Sequence, residues 1–160
     1  MTRYASNTEV STDKSKAEIE KTLSRYGADE FAYAIKQGIA VVAFRMNNRR
    51  IKMVLPLPDK DSDEFRYTPS RRLERNQWQI DEAWEQACRQ AWRALALVIK
   101  AKLEAVECGI SDFESEFLAD VMLPDGSRVA DFMKPQIEEV YQTGKWPELI
   151  PGLKALPGRD

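Results

Sequence analysis

A chain of 160 residues with a formal net charge of −2 is long enough for one hydrophobic core and too short for two of ordinary size. Hydrophobic residues make up 43% and charged residues 31%. No apolar run approaches the roughly 20 residues that cross a bilayer, and the charge balance excludes binding of nucleic acid by bulk positive charge. Histidine is absent, which removes Ser-His-Asp and Cys-His devices, imidazole acid/base catalysis and mixed Cys/His zinc sites.

The amino terminus, MTRYASNTEVSTDKSK, is polar and lacks an apolar h-region, so a cytoplasmic protein is expected, with no membrane partner. Residues 1–12 read as a flexible arm. Ser15 and Glu18 then form a capping box, Ile19, Leu23 and Tyr26 recur at helical spacing, and Gly27 supplies a stop, which predicts a short amphipathic helix over 15–26. Three antiparallel strands follow over 31–36, 39–46 and 49–55, joined by two-residue turns at Gln37-Gly38 and Asn47-Asn48. Such turns fix the register: Arg45 opposes Arg50, Phe44 opposes Ile51, and Val42 opposes both Tyr33 and Met53. One face then carries Phe31, Tyr33, Ile35, Val42, Phe44, Ile51 and Met53 as a core face. The other carries Ala32, Ala34, Lys36, Val41, Ala43, Arg45, Arg50 and Lys52, small residues framed by cations.

Residues 59–76 read as a linker in which acids (Asp59, Asp61, Asp63, Glu64) precede arginines (Arg66, Arg71, Arg72, Arg75), a length that marks a functional or mobile loop. A long helix is predicted over 79–108, acidic at its start, basic later and stopped by Gly109. Its stripe of Ile80, Trp84, Cys88, Ala91, Leu95, Val98 and Val106 is expected to cover the sheet. Trp84 and Trp92 are read as packing. Pro124-Asp125-Gly126 predicts a turn between two short strands, and a last helix is expected over 135–143, ended by Gly144. The remaining tail keeps Trp146, Leu149, Ile150 and Leu153 among prolines and glycines. The expected fold is therefore α+β, a single domain over 13–144 with an arm (1–12) and a tail (145–160). Cys88 and Cys108, about 30 Å apart on one helix, are read as reduced thiols.

Three chemistries compete for the polar residues. The DKDSDE stretch, Asp59 to Glu64, begins like a calcium loop but has Glu64 where glycine is needed and Ser70 where a bidentate glutamate is needed, so no metal is expected there. Carboxylates at Glu104, Glu107, Asp112, Glu114, Glu116, Asp120, Asp125 and Asp131 are numerous enough for a metal-dependent nuclease. The strand-borne Asp with Glu-x-Lys spacing of such enzymes is missing, and no catalytic residue, metal or other cofactor is assigned. The sharper signal is basic. Lys36, Arg45, Arg50 and Lys52 project from one side of the sheet, Arg66, Arg71, Arg72 and Arg75 follow on the linker, and Tyr67 and Trp78 flank that linker as aromatic platforms on which nucleic-acid bases would stack.

The stretches AEIEKTLSRYGADEFAYAI, MNNRRIKMVLPLPD, AWEQACRQAWRALALVIKAKLEAVECGIS and EFLADVMLPDG resemble a widespread set of uncharacterised bacteriophage-encoded proteins, over roughly residues 10–151. The resemblance implies a viral protein acting in the host cytoplasm and carries no activity or catalytic residue with it. The order of helix, three antiparallel strands and long helix also resembles double-stranded RNA-binding domains and strand-annealing recombination cores, at the level of topology alone.

The leading expectation is a non-enzymatic DNA-binding protein, favouring single strands, that serves phage replication, recombination or genome protection. In it Lys36, Arg45, Arg50 and Lys52 contact phosphates, Arg66, Arg71, Arg72 and Arg75 close over the strand, and Tyr67 and Trp78 stack. An alternative is an interaction protein that modulates a host or phage protein through the apolar tail. A third is the nuclease, with Glu116 and Asp120 as its first candidates. A homo-oligomer is expected to form, if at all, through the sheet edge, the Pro124-Asp125-Gly126 hairpin or the tail, since the chain has no coiled-coil heptads.

Overall fold

The computed structural model describes residues 8–36 and 38–145; Gln37 of the first turn and the tail residues Trp146, Leu149, Ile150 and Leu153 lie outside the described residues. The elements run α1 (Thr12–Arg25), β1 (Glu30–Lys36), β2 (Ile39–Met46), β3 (Arg49–Pro56), α2 (Asp63–Arg66), α3 (Gln77–Glu107), α4 (Phe113–Phe117), a single 3₁₀ turn (Leu118–Asp120) and α5 (Val129–Thr143). This is the α+β layout expected from the sequence.

The strands form one antiparallel sheet in the order β1-β2-β3, and the register is that fixed by the turns: Tyr33↔Val42, Val42↔Met53, Phe44↔Ile51 and Arg45↔Arg50. Asn47 and Asn48 adopt φ of 51° and 58°, the left-handed pair that a tight hairpin turn needs and that asparagine tolerates better than most residues. Ala40, Val42, Phe44, Met46, Ile51 and Met53 are buried on one face. Above them lie Ile19 and Leu23 of α1, Trp92, Leu95, Ala96, Ile99 and Leu103 of α3, and Phe113 and Phe117 of α4. The Phe44 and Phe117 rings meet edge to face at 5.7 Å. Each large side chain buried this way contributes on the order of 1.5–3 kcal/mol before entropy is counted.

Several elements differ from the sequence reading. Helix α1 starts at Thr12, because Ser11 caps it by accepting from the Lys14 backbone N–H at 3.2 Å. Ser15, expected as the cap, sits instead on the buried stripe Ser15-Ile19-Leu23, its hydroxyl without a partner among the described residues. Helix α3 starts at Gln77 because Asn76 and Gln79 form a reciprocal capping box. Its inner face is Trp92, Leu95, Ala96, Ile99 and Leu103, whereas Ala91 and Val98, expected in the core, fall on its flank and Val98 is 44% exposed. Tyr33 and Ile35 are also on the core side yet 52% and 53% exposed, since β1 is the outer strand and reaches past the helical cover.

The predicted carboxy-terminal hairpin is reduced to bridges. Val121 pairs with Ile51 and Met122 with Arg128, and the Met122 N–H donates to the Arg50 carbonyl at 2.8 Å, so this segment lines the outer edge of β3. Between α3 and that hairpin, Asp112 caps the five-residue α4, an element the sequence reading did not contain. Helix α5 begins at Val129 rather than near Pro135 and accommodates that proline inside, at the loss of one backbone donor. None of its residues is fully buried. Among the described residues no helix is long and apolar enough to cross a membrane.

Candidate nucleic-acid interface

Among the described residues, the alternation of the strands leaves the second face of the sheet without a covering layer. Ala32 and Ala34 of β1, Val41, Ala43 and Arg45 of β2, and Arg50, Lys52 and Val54 of β3 point to that side, none of them buried. The cations on it do not form one track. Arg45 donates from Nε and Nη2 to the two carboxylate oxygens of Asp29 at 2.9 and 2.8 Å, and its Nη1 lies 3.1 Å from Glu30. That guanidinium holds the Asp29 carboxyl below the usual aspartate range, so the pair stays charged through neutral pH. The Lys52 ammonium donates to the Gly126 carbonyl at 3.0 Å and so ties the hairpin to the open face. Arg50 engages no carboxylate among the described residues. Lys36 stands on this face six positions along β1 from Glu30, which is roughly 20 Å from the Arg45–Arg50 pair.

Around Arg50 the surface is concave. A cleft of about 440 Å³ is lined on one side by Arg45, Asn48, Arg49 and Arg50 and on the other by Met122, Leu123 and Pro124. A second depression of about 360 Å³ adjoins it, with Ala32, Ala43 and Met122 among its walls and Arg50 shared between the two. Arg49, whose part in this cleft the sequence reading did not identify, also reaches Glu114 with its Nε at 2.7 Å. The hairpin walls were equally unforeseen, because only the folded chain brings residues 121–126 beside β3. The arrangement joins guanidinium groups to an apolar floor, which is what a phosphate attached to an unstacked base requires.

The linker cations lie elsewhere. Phe65 is buried against the flank of α3, the Trp84 indole N–H donates to the Pro58 carbonyl at 2.9 Å, and Lys60 pairs with Asp81 at 2.8 Å, so residues 57–75 pack along the start of α3 in the helical layer. The segment is itself ordered by hydrogen bonds, with Tyr67 and Glu74 bridged antiparallel and Arg75 donating to the Glu64 and Phe65 carbonyls. Arg66 bonds Glu74 at 3.2 Å, Arg72 lies 4.0 Å from Asp63, and both guanidinium groups sit 5.7 Å from the Tyr67 ring. Arg71 engages no carboxylate among the described residues, and Trp78, in the first turn of α3, is 70% exposed. The sheet cations and the linker group of Arg66, Tyr67, Arg71, Arg72, Arg75 and Trp78 are thus two separate surfaces.

Apart from Glu107, the carboxylates that suggested a nuclease are occupied structurally, Asp112 by the Ser115 backbone N–H and hydroxyl. Glu116 pairs with Lys102, Asp120 and Asp131 both hold Arg128, Asp125 accepts from Ser127, Glu114 pairs with Arg49, and Glu104 accepts from the Tyr26 hydroxyl. Hydrogen bonding to Arg128 pulls the Asp131 carboxyl down to about 2. Among the described residues no group of three or more Cys, Asp or Glu side chains is placed to hold a metal ion. Asp59, at the head of the acidic run, accepts from the Asp61 backbone N–H in a tight local turn. Cys88 and Cys108 are free thiols, and burial pushes the Cys88 thiol upward, away from the reactive thiolate.

A further concavity, about 760 Å³, runs along the flank of α3 between Pro56, Leu57, Phe65, Ala87, Ala91 and Val98. Comparison with protein-family models, with curated proteins and with solved structures found no match to the chain.

Proposed function

We propose that the chain is a non-enzymatic protein that binds single-stranded DNA on the open face of its sheet, in the service of phage replication, recombination or genome protection. One observation carries this reading: the cleft where Arg50, free of carboxylate partners among the described residues, stands between Arg45, Arg49 and the apolar surface of Ala32, Ala43 and Met122. The Arg50 guanidinium, which unlike Arg45 and Arg49 is not held by a carboxylate among the described residues, is the group we assign to phosphate, and the adjoining apolar floor suits the face of an unpaired base rather than the closed stack of a duplex. The net charge of −2 fits a protein whose affinity comes from a local cleft and not from a global field. The phage setting rests on the resemblance of the quoted sequence stretches.

The test is fluorescence anisotropy of a labelled single strand, with a duplex of the same sequence run in parallel, at low and moderate salt. Preference for the single strand is expected, with log affinity falling by about 0.7 per decade of salt for each phosphate neutralised. Affinity that is equal for the duplex, or flat in salt, removes the proposal.

A second reading, an interaction protein that modulates a host or phage protein, draws support from α5. Phe132 and Tyr141 on that helix are 60% and 85% exposed. A partner bound there loses affinity when both are replaced by serine, with the melting temperature held. Partner capture that survives the replacement removes this reading, as far as α5 carries it.

A further inference from the structure

Strand β1 pairs only with β2, so its outer edge is unpaired among the described residues. We infer that this edge is the contact between two copies of the chain, joined antiparallel about a two-fold axis at Tyr33 to make one continuous six-stranded sheet.

The argument begins with which backbone groups are free. Lys36 and Ile39 close the two-residue β1–β2 loop, and such a closing pair is hydrogen-bonded. The even-numbered residues of β1 therefore direct their N–H and C=O groups to β2. Phe31, Tyr33 and Ile35 direct theirs to the open edge. Pairing with a second β1 centred on Tyr33 sets Phe31 against Ile35 and Tyr33 against Tyr33 as hydrogen-bonded pairs, so each outward donor and acceptor gains a partner.

The side chains of Glu30–Lys36 are complementary in the same register. Ala32 meets Ala34 on the open face, and Glu30 meets Lys36 at both ends. Glu30, about half exposed, already lies against Arg45, and Lys36 engages no carboxylate among the described residues, so the contact supplies a carboxylate to a cation that lacks one. A shift of two residues either way sets Glu30 against Ala34 or Lys36 against Ala32 and loses the charge pairs, which pins the register. The same contact covers Tyr33 and Ile35, the two large apolar side chains that the helical layer leaves half exposed. A long apolar edge is otherwise an aggregation site, and closed two-fold pairing removes it.

Sedimentation equilibrium of the full chain without DNA tests this independently of the nucleic-acid reading. A monomer–dimer equilibrium is expected, weakened about tenfold by Glu30→Lys or by Lys36→Glu and restored by the double exchange. Hydrogen exchange of the unaltered chain supplies a measurement that does not depend on variant folding: amides of Phe31, Tyr33 and Ile35 gain protection as concentration rises. A monomer at all concentrations, open-ended aggregation, association indifferent to charge reversal, or unchanged protection at those three amides overturns the inference.

Discussion

The two faces of the same three strands have opposite fates. Val42, Phe44, Ile51 and Met53 are sealed under α1, α3 and α4, while Ala43, Arg45, Arg50 and Lys52, their immediate neighbours in sequence, lie on the opposite face of the sheet. Alternation alone separates them, since successive side chains of a strand point to opposite sides. The buried face is committed to packing and tolerates little change. The open face carries no layer among the described residues, and its small residues leave room for something else to lie on it. Where the chain places charge on the open face it also restrains it: Asp29 and Glu30 hold Arg45, and Gly126 holds Lys52, leaving Arg50 as the cation at that end of the sheet that no carboxylate engages among the described residues.

The comparison breaks most visibly on the buried side. Trp92 is 2% exposed and packs edge to face on Tyr33, so Trp92→Ala is expected to cost about 3–5 kcal/mol in urea denaturation. Arg50→Ala on the other face should stay within about 0.5 kcal/mol of the parent. A similar cost for the two would mean that the open face is structural after all. Next in size is Arg50→Glu, expected to lower single-strand affinity at least tenfold while leaving the melting temperature unchanged; affinity within twofold of the parent would place binding elsewhere.

A pH experiment sharpens the role of the hairpin that walls the cleft. Arg128 ties Asp120 and Asp131 at the foot of that hairpin, at 3.2 and 2.8 Å. Asp131 is depressed from 3.8 to about 2, chiefly by its hydrogen bond to Arg128, so its contribution is present above pH 3.8 and lost as pH falls through about 2. Asp131→Asn should therefore be less stable than the parent near neutrality, with the gap closing between those two values. A gap independent of pH would contradict the assignment. A gain is also expected: Ser15 is fully buried and its hydroxyl has no partner among the described residues, so Ser15→Ala should stabilise by about 1 kcal/mol, read from the denaturation midpoint.

How far the sequence discloses this molecule depends on the range of the forces involved. Register was legible because two-residue turns and alternation are local, and every pair from Tyr33↔Val42 to Arg45↔Arg50 follows from them. The inner face of α3 was only partly legible. Ala91 and Val98 are as apolar as Ala96 and Ile99, and periodicity does not say which of two adjacent apolar rows meets the sheet. Tyr33 and Ile35 show the same limit, since alternation names their side of the sheet and not whether the helices extend over them. Helix α4 escaped notice because five residues are too few to show a period. At the candidate site, parity placed Arg45, Arg50 and Lys52 on one surface. The carboxylates that restrain Arg45, the hairpin beside β3 and the docking of the linker cations along α3 are all tertiary contacts, which no local pattern encodes.

Alanine methyl groups lie on both faces, so an NMR titration of alanine-methyl-labelled protein with a single-stranded oligonucleotide reads the division directly. Ala32, Ala34 and Ala43 report the open face, Ala40 and Ala96 the core, and Ala87 and Ala91 the flank of α3. The expected result is progressive shifts at Ala32 and Ala43 with little change at Ala40 and Ala96. Shifts confined to Ala87 and Ala91, or none at any of them, would contradict the assignment of binding to the open face of the sheet.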